Sequence, residues 1–360
     1  MSTPYLPSDI EEIATRLGPD AKRFAGSTML LCGGHGFLGR YFLALFAYLN
    51  RHVLDRPCRL IALDNHITSR HVASEAWNQD QDGCRFIQHD IIKPVIFEEP
   101  LDYVIHAAGI ASPYYYRKYP LETLEVATTG TKNLLTLAAE HRVKGFLFFS
   151  SSEIYGDPDE AHVPTPESYR GNVSCIGPRA CYDESKRIGE TLCTIFHELY
   201  GVPTKIVRPF NVYGPGMSER DYRVLPNFAS RIVRGKPLQI YGSGRQTRTF
   251  CYVTDAMVGF VKVLLNGTPS HVYNIGNPSS EVSMLQLANV MSRVLDRELE
   301  VNVVEYPDSY PSDEPQRRCP DITKASLQLN YQPAVDLQEG LKRFMAWAAQ
   351  TYSLAQIEHA

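Results

Sequence analysis

The chain has 360 residues, 44% of them hydrophobic, and a formal net charge of −4. That is enough apolar material for one large domain or two interlocked ones. The near balance of charge, with no long basic run, excludes an electrostatic pull toward nucleic acid or an anionic membrane.

Residues 1–25 carry Asp9, Glu11, Glu12, Arg16, Asp20, Lys22 and Arg23. They lack the apolar stretch of a signal peptide and read as a polar, partly helical lead-in. Thr28–Cys32 reads as a short buried strand, residues 33–39 as a glycine turn, and the chain through Leu49 as an apolar helix. The apolar run 41–49 is too short to cross a bilayer. Residues 59–63, closed by Asp64, read as a second strand, 85–88 as a third and 103–107 as a fourth. Residues 121–141 have helical spacing, with Leu121, Leu124, Leu134, Leu137 and Ala138 on one face. Gly145–Phe149 reads as a fifth strand. A second long helix is expected over 182–200, apolar at Ile188, Leu192, Ile195, Phe196 and Leu199, and a sixth strand over 205–208.

Strands alternating with helices imply an α/β fold, a doubly wound Rossmann-type parallel sheet. After Pro209 the chain becomes dense in Gly, Pro, Tyr and Arg, a texture that lines sites more often than it builds sheets. The expected organisation is a lead-in over 1–25 and a dinucleotide-binding domain over 26–210, with a return segment at about 251–275. A smaller, loop-rich α/β substrate-binding lobe is expected over 211–250 and 276–360. The eight cysteines show no CxxC spacing. Free thiols in a cytoplasmic protein are expected, without a disulfide framework or metal site.

The turn Gly33-Gly-His-Gly-Phe-Leu-Gly39 follows a strand and opens a helix. Its glycines allow a tight bend and close approach to a pyrophosphate, which meets the amides and positive dipole end of the helix. Asp64, at the end of the next strand, can hold the adenosine ribose hydroxyls as a single exposed contact and repels a 2′-phosphate, so NAD is favoured over NADP. The candidate cofactor contacts are Gly33, Gly36, Phe37, Leu38 and Gly39, with Asp64, Asp90 and Ala107 at later strand ends and Tyr182 and Lys186 beyond them. A strand-end cap is an equal reading of Asp90.

Tyr182 and Lys186 form a YxxxK pair that one helical turn places on one face. The ammonium, with a positive nicotinamide, would lower the phenol pKa so that tyrosinate acts as a base. Tyr114/Lys118 has the same spacing, but Tyr114 lies in a Tyr/Pro loop and reads as a wall residue. Tyr182 instead follows the fifth strand and its polar end, Ser150-Ser-Ser-Glu153.

Ser150-Ser-Ser-Glu-Ile-Tyr-Gly156, Gly171-Asn-Val-Ser-Cys-Ile-Gly-Pro-Arg-Ala-Cys-Tyr-Asp-Glu-Ser-Lys-Arg187, Arg208-Pro-Phe-Asn-Val-Tyr-Gly-Pro215, Gln246-Thr-Arg-Thr-Phe-Cys-Tyr252 and Asp313-Glu-Pro-Gln-Arg-Arg-Cys-Pro-Asp-Ile322 are long motifs. With them the chain resembles the UDP-glucuronate decarboxylases (UDP-xylose synthases) of the extended short-chain dehydrogenase/reductase family, over about residues 28–348. The resemblance implies that Tyr182 is the base, tuned by Lys186. It implies that Ser151 and Ser152 bind the reacting hydroxyl and that Glu153 assists substrate placement or proton movement. Asn211 and Arg248 would contact the sugar or its phosphates, Asn227 the nucleotide, and Arg318 a phosphate. The helices near 121–141 and 182–200 resemble the pair that forms a four-helix interface in the family, which implies a homodimer.

Related 4,6-dehydratases carry an Asp where this chain has Ser152, and a hydroxyl cannot readily supply the proton that expels the C6 hydroxyl. Decarboxylation needs no such acid. Oxidation at C4 gives a ketone β to the C6 carboxylate, and CO2 leaves with formation of an enolate. Three alternatives stay open: a 4-epimerase, a 4,6-dehydratase, and, outside enzymes, a non-catalytic NAD-binding regulator. Several positions depart from the family pattern near the expected substrate loops. They are His35 in the glycine turn, Ser174-Cys175 for Asn-Pro, Arg170 for an aromatic, and 217–223 around the usual DGRV. Arg179 reads as part of a loop salt bridge, and His162 as a solvated histidine.

Overall fold

The computed structural model describes residues 3–69, 83–305 and 315–352. Of the quoted motifs, Asp313 and Glu314 lie outside the described residues. The first six sheet strands are β1 (Thr28–Cys32), β2 (Arg59–Asp64), β3 (Cys84–Gln88), β4 (Tyr103–His106), β5 (Gly145–Phe149) and β6 (Thr204–Pro209). A seventh, His271–Ile275, pairs with β6. All seven run parallel, and β1 lies between β2 and β4. The chain winds outward from β1 through β3, then crosses back to β4 and winds the other way. Ligands bind at the strand C-termini where the order reverses in this way.

Alternation of side chains across the pleat fills two cores. Met29 and Leu31 of β1 join one cluster with Phe42, Leu45 and Phe46 of the helix Phe37–His52 (α2). Leu30 and Cys32 join the other with Leu134, Leu135 and Ala138. The lead-in belongs to the first core. Its helix, Pro7–Leu17 (α1), buries Ile10, Ile13, Ala14 and Leu17. Its Asp9 is fully buried and accepts a hydrogen bond of 2.8 Å from the Tyr252 hydroxyl.

The expected helix over 121–141 is interrupted. After a short helix Pro113–Lys118 (α3) come Pro120–Ala127 (α4) and Thr129–His141 (α5). At the break, Thr128 hydrogen-bonds its hydroxyl back to the Leu124 carbonyl (2.8 Å). Thr128, Thr129 and Gly130 are all weak helix formers. Leu121, expected on the buried face, is 69% exposed. The second long helix spans Ala180–Tyr200 (α6) and buries Tyr182, Ser185, Lys186 and Gly189 in its first half and Cys193 and Phe196 further on. Ile188, Ile195 and Leu199 face outward.

Beyond β6 the strands are short. Leu238–Tyr241 pairs with Val301–Val304, and Thr247–Arg248 lies between Val282–Ser283 and Arg317–Arg318. Two helices follow the same stretch, Val224–Val233 (α7) and Val253–Asn266 (α8). These pieces bring segments far apart in sequence over the C-terminal ends of β5 and β6.

Candidate active site

The turn between β1 and α2 is built for a phosphate. Gly33 has φ +88°, and a Cβ there would lie 2.8 Å from the backbone of Ala108. A Cβ on Gly39 would lie 2.0 Å from the Gly33 carbonyl oxygen. Gly36 caps α2 in an extended conformation, and among the described residues no side chain caps the helix. Bare backbone and an uncapped helix N-terminus fit a dinucleotide pyrophosphate.

Asp64 has more than the expected single exposed contact. Its carboxylate accepts the amides of His35 (2.9 Å) and His66 (2.8 Å) and the Ser69 hydroxyl (3.1 Å). Replacing it would loosen the glycine turn as well as remove a ribose contact. His35, the departure within the turn, stacks flat on Phe86 with ring centroids 4.0 Å apart. Its Nδ1 lies 3.2 Å from His66 Nε2. Burial brings the His35 imidazole down to about 4, so it is neutral at physiological pH. Asp90 accepts from the Asn65 side chain (3.0 Å) and the Ile92 amide (3.2 Å), the pattern of a strand-end cap.

One cavity collects most of the remaining candidates. Phe37, Leu38, Ala107, Ser151, Ser152, Glu153, Tyr182, Lys186, Asn211, Asn227, Arg248 and Arg318 all line it. Gly33, Gly36, Gly39, Asp64 and Asp90 do not; they lie toward the cofactor turn. Asn211 sits at φ +40° and donates to the Thr249 carbonyl (2.8 Å).

Tyr182 and Lys186 share the buried face of α6. The Lys186 ammonium donates to the Phe149 carbonyl (2.8 Å) and lies 5.8 Å from the Tyr182 ring centre. Burial brings Lys186 down to about 8. Burial pushes the Tyr182 phenol up to about 12, against the opposing effect of its hydrogen bond from Ser151. The Lys186 ammonium is turned to the β5 carbonyl, and burial dominates the shift of the phenol. Tyr116 stacks on Tyr182 with centroids 5.6 Å apart.

Glu153 is not a free acid. Arg318 reaches it through two nitrogens, Nη2–Oε2 being 2.9 Å, and Arg179 donates to it as well. Burial pushes the Glu153 carboxyl up, but Arg318, Arg179 and Arg248 outweigh it and bring it down to about 2. A carboxylate held this low is poorly suited to proton transfer near neutral pH.

Sequence reasoning placed Arg179 in a loop salt bridge. The ion pair exists, but it lies inside the cavity. Arg223, not singled out, also lines it and is paired with Asp221 at 2.5 Å. The available signal was arginine density in the loops after β6. His162 is half exposed, pairs with Asp159 at 2.6 Å, and packs its ring against Tyr169 with centroids 4.8 Å apart. Tyr114 is stacked on Tyr222 with centroids 5.0 Å apart.

Residues 29–276 match the model of the NAD dependent epimerase/dehydratase family. UDP-glucuronic acid decarboxylase 1 from Arabidopsis thaliana is 39% identical over 325 residues, 88% of this chain and 69% of the relative. UDP-glucuronic acid decarboxylase 1 from Xenopus tropicalis is 39% identical over 315 residues, 88% of this chain and 70% of the relative. Among solved structures, an epimerase from Methanothermobacter thermautotrophicus superimposes with a TM-score of 0.77 at 25% identity, covering 97% of this chain and 98% of that one. The dTDP-glucose 4,6-dehydratase DesIV from Streptomyces venezuelae, with NAD bound, gives 0.76 at 24% identity over 91% of this chain and 98% of that one, a likeness of fold alone. The glycine turn, the Tyr182/Lys186 face and these matches agree, and the chain belongs to the NAD dependent epimerase/dehydratase family.

Proposed function

We propose that this chain removes CO2 from UDP-glucuronate, or a close analogue, in an NAD-dependent reaction that passes through a 4-keto sugar. The charge of the cavity carries this reading. Among the described residues, Arg179, Lys186, Arg223, Arg248 and Arg318 line it against one carboxylate, Glu153. A nucleoside diphosphate and a sugar carboxylate are both anions, and guanidinium groups match both in bidentate geometry. The names of the decarboxylase relatives support the same substrate.

NAD supplies the hydride acceptor for C4 and, through its positive ring, a charge that favours tyrosinate at Tyr182. Tyr182, with Ser151 donating to its oxygen, takes the proton of the sugar 4-hydroxyl. The ketone then lies β to the C6 carboxylate. The C5–C6 bond breaks, its electrons pass to the C4 oxygen as an enolate, and CO2 leaves. Ser152, buried at the cavity wall, donates toward that oxygen, and Ser151, freed once Tyr182 carries the proton, can turn its own hydroxyl to it. C5 then takes a proton from solvent in place of CO2, Tyr182 returns its proton to the C4 oxygen, and the hydride held by bound NAD would return to C4.

The 4,6-dehydratase reading lacks its acid: Ser152 is a hydroxyl, and the adjacent Glu153 is tied to two arginines. A regulator would have no need of Tyr182, Lys186, Ser151 and Ser152 in one cavity. Epimerisation uses the same hydride chemistry and is separated by its product. Incubation of the purified protein with UDP-glucuronate, followed by mass analysis, is expected to give CO2 and a UDP-pentose. UDP-galacturonate without CO2 would replace this reading with the epimerase.

The division of the chain follows the same proposal: a cofactor domain over 26–210 with 251–275, and a substrate lobe over 211–250 and 276–360. A cytoplasmic location is supported by eight free thiols. No helix among the described residues is long and apolar enough to cross a membrane. A homodimer is supported by Ile188, Ile195, Leu199 and Tyr200 on the outer face of α6 and Leu121 on α4, all exposed. Light scattering at micromolar concentration is expected to give twice the chain mass, and Leu199→Glu to reduce it to one. A monomeric mass for the unaltered protein would count against the dimer.

A further inference from the structure

Arg179 stands between two carboxylates at the start of α6. Its Nη2 donates to Glu153 Oε2, and its Nε lies 3.6 Å from Asp183 Oδ2, one turn into the helix. Arg179 is also the N-cap residue of α6, so its backbone is fixed by the helix that carries Tyr182. Asp183 is only 7% exposed, and its Oδ1 has no hydrogen-bond partner among the described residues. Glu153 belongs to the segment that follows β5. Its amide donates to Ser151 Oγ (3.2 Å), and Ser151 in turn hydrogen-bonds Tyr182.

We propose that Arg179 is a positioning residue that acts through Glu153: clamped between two carboxylates, it fixes the segment 151–153 and so the hydroxyl that Ser151 offers to Tyr182. This rests on the assignment of the cavity as the sugar site. Arg318 reaches the same carboxylate from the strand Arg317–Arg318, but it is anchored on the substrate lobe. Arg179 is the ligand of Glu153 that shares a helix with Tyr182, so it ties the Ser151 loop to the same element as the phenol.

The charges around Glu153 come from every neighbouring element. Arg318 and Arg248 face it from two short strands, Arg179, Asp183 and Tyr182 from α6, and Tyr116 from α3. Two carboxylates this close in a buried site do not both stay ionised without a cation between them. Burial and the charge of Glu153 already push Asp183 up to about 7, against Arg179 and Arg318. Removing the Arg179 charge raises Asp183 further and lifts Glu153 from its depressed value. Glu153 then begins to titrate within the range in which the enzyme works, and activity is lost as pH falls through its new pKa.

The test is the pH profile of kcat/KM for Arg179→Ala, Arg179→Lys, Glu153→Gln and the double variant Arg179→Ala/Glu153→Gln. The unaltered protein is expected to show no limb from Glu153 above pH 5. Arg179→Ala should add an acidic limb, losing at least tenfold more activity at pH 5.5 than at pH 8. Arg179→Lys should restore most of the profile. In the Glu153→Gln background, Arg179→Ala should add no limb. The protonated-carboxyl infrared band of Glu153, assigned by its loss in Glu153→Gln, needs no substrate and should move up by more than one pH unit in Arg179→Ala. Retained NAD binding shows that the variants fold. A uniform loss of kcat with an unchanged profile, or an infrared titration that does not move, overturns the proposal. Absence of turnover in the unaltered protein, with the infrared shift present, instead removes the substrate assignment.

Discussion

Replacing Tyr182 with Phe is expected to lower kcat by about 10²–10⁴-fold, the usual contribution of a positioned general base. NAD and nucleotide-sugar affinity should stay close to that of the unaltered protein. The phenol oxygen accepts its proton only as the C4–O bond changes character, so its loss falls on the transition state. Binding rests on groups elsewhere: the glycine turn, the helix N-terminus and the arginines. The fold should survive. The phenol ring packs on Tyr116 and remains in Phe, and the lost hydrogen bond with Ser151 costs about 1 kcal/mol. Binding measured by titration calorimetry and turnover measured separately distinguish the two effects. If Tyr182→Phe kept near-normal turnover, another group would be the base. Tyr116 would be next to examine, because its hydroxyl is buried and has no hydrogen-bond partner among the described residues.

Much of the fold was legible because it repeats simple patterns. The six expected strands appear within a residue or two of their predicted limits, since each is a short apolar run closed by a turn residue or a charge. The seventh strand, His271–Ile275, was not legible as a strand: its polar ends, His271 and Asn274, break the apolar run, and pairing with β6 supplies what local preference does not. The break at Thr128 was hidden because helical periodicity continues across it in Leu124 and Leu134. On α6, reading the aliphatic face as the buried one fails for a functional reason. The face turned to the sheet is spent on Tyr182, Ser185 and Lys186 in the first turns, Phe196 is buried and Leu192 packs against the core further on, and Ile188, Ile195 and Leu199 are left outside. The candidate site residues were legible through motifs, but their partners were not. Nothing local in sequence tells that Glu153 pairs with Arg318, 165 positions away, or that Lys186 turns to the Phe149 carbonyl.

Arg248→Ala should be the variant that separates the first half of the reaction from the second. Arg248 is 6% exposed, lines the cavity, and adds to the positive field on Glu153. Its strand is pinned on both sides, to Val282 and to Arg318, so the guanidinium is held on a rigid frame rather than on a mobile loop. A cation fixed in this way can orient the C6 carboxylate until the C5–C6 bond is aligned with the ketone, which is where CO2 loss is decided. Removing a preorganised charge of this kind typically costs about 10²–10³-fold in kcat. Hydride transfer precedes the alignment step, so the oxidised sugar and NADH should accumulate in Arg248→Ala while CO2 release falls. A rapid-mixing single turnover that follows NADH absorbance alongside CO2 reads both. Arg248→Lys keeps the charge without the planar fork and should lie between the two. The competing role is a phosphate contact. In that case Arg248→Ala would raise KM with little change in kcat, and NADH would not build up, because uniform binding contributes equally to the ground and transition states. A rise in KM alone would therefore move Arg248 to the diphosphate and leave Arg179 or Arg223 as the guanidinium that meets the sugar carboxylate.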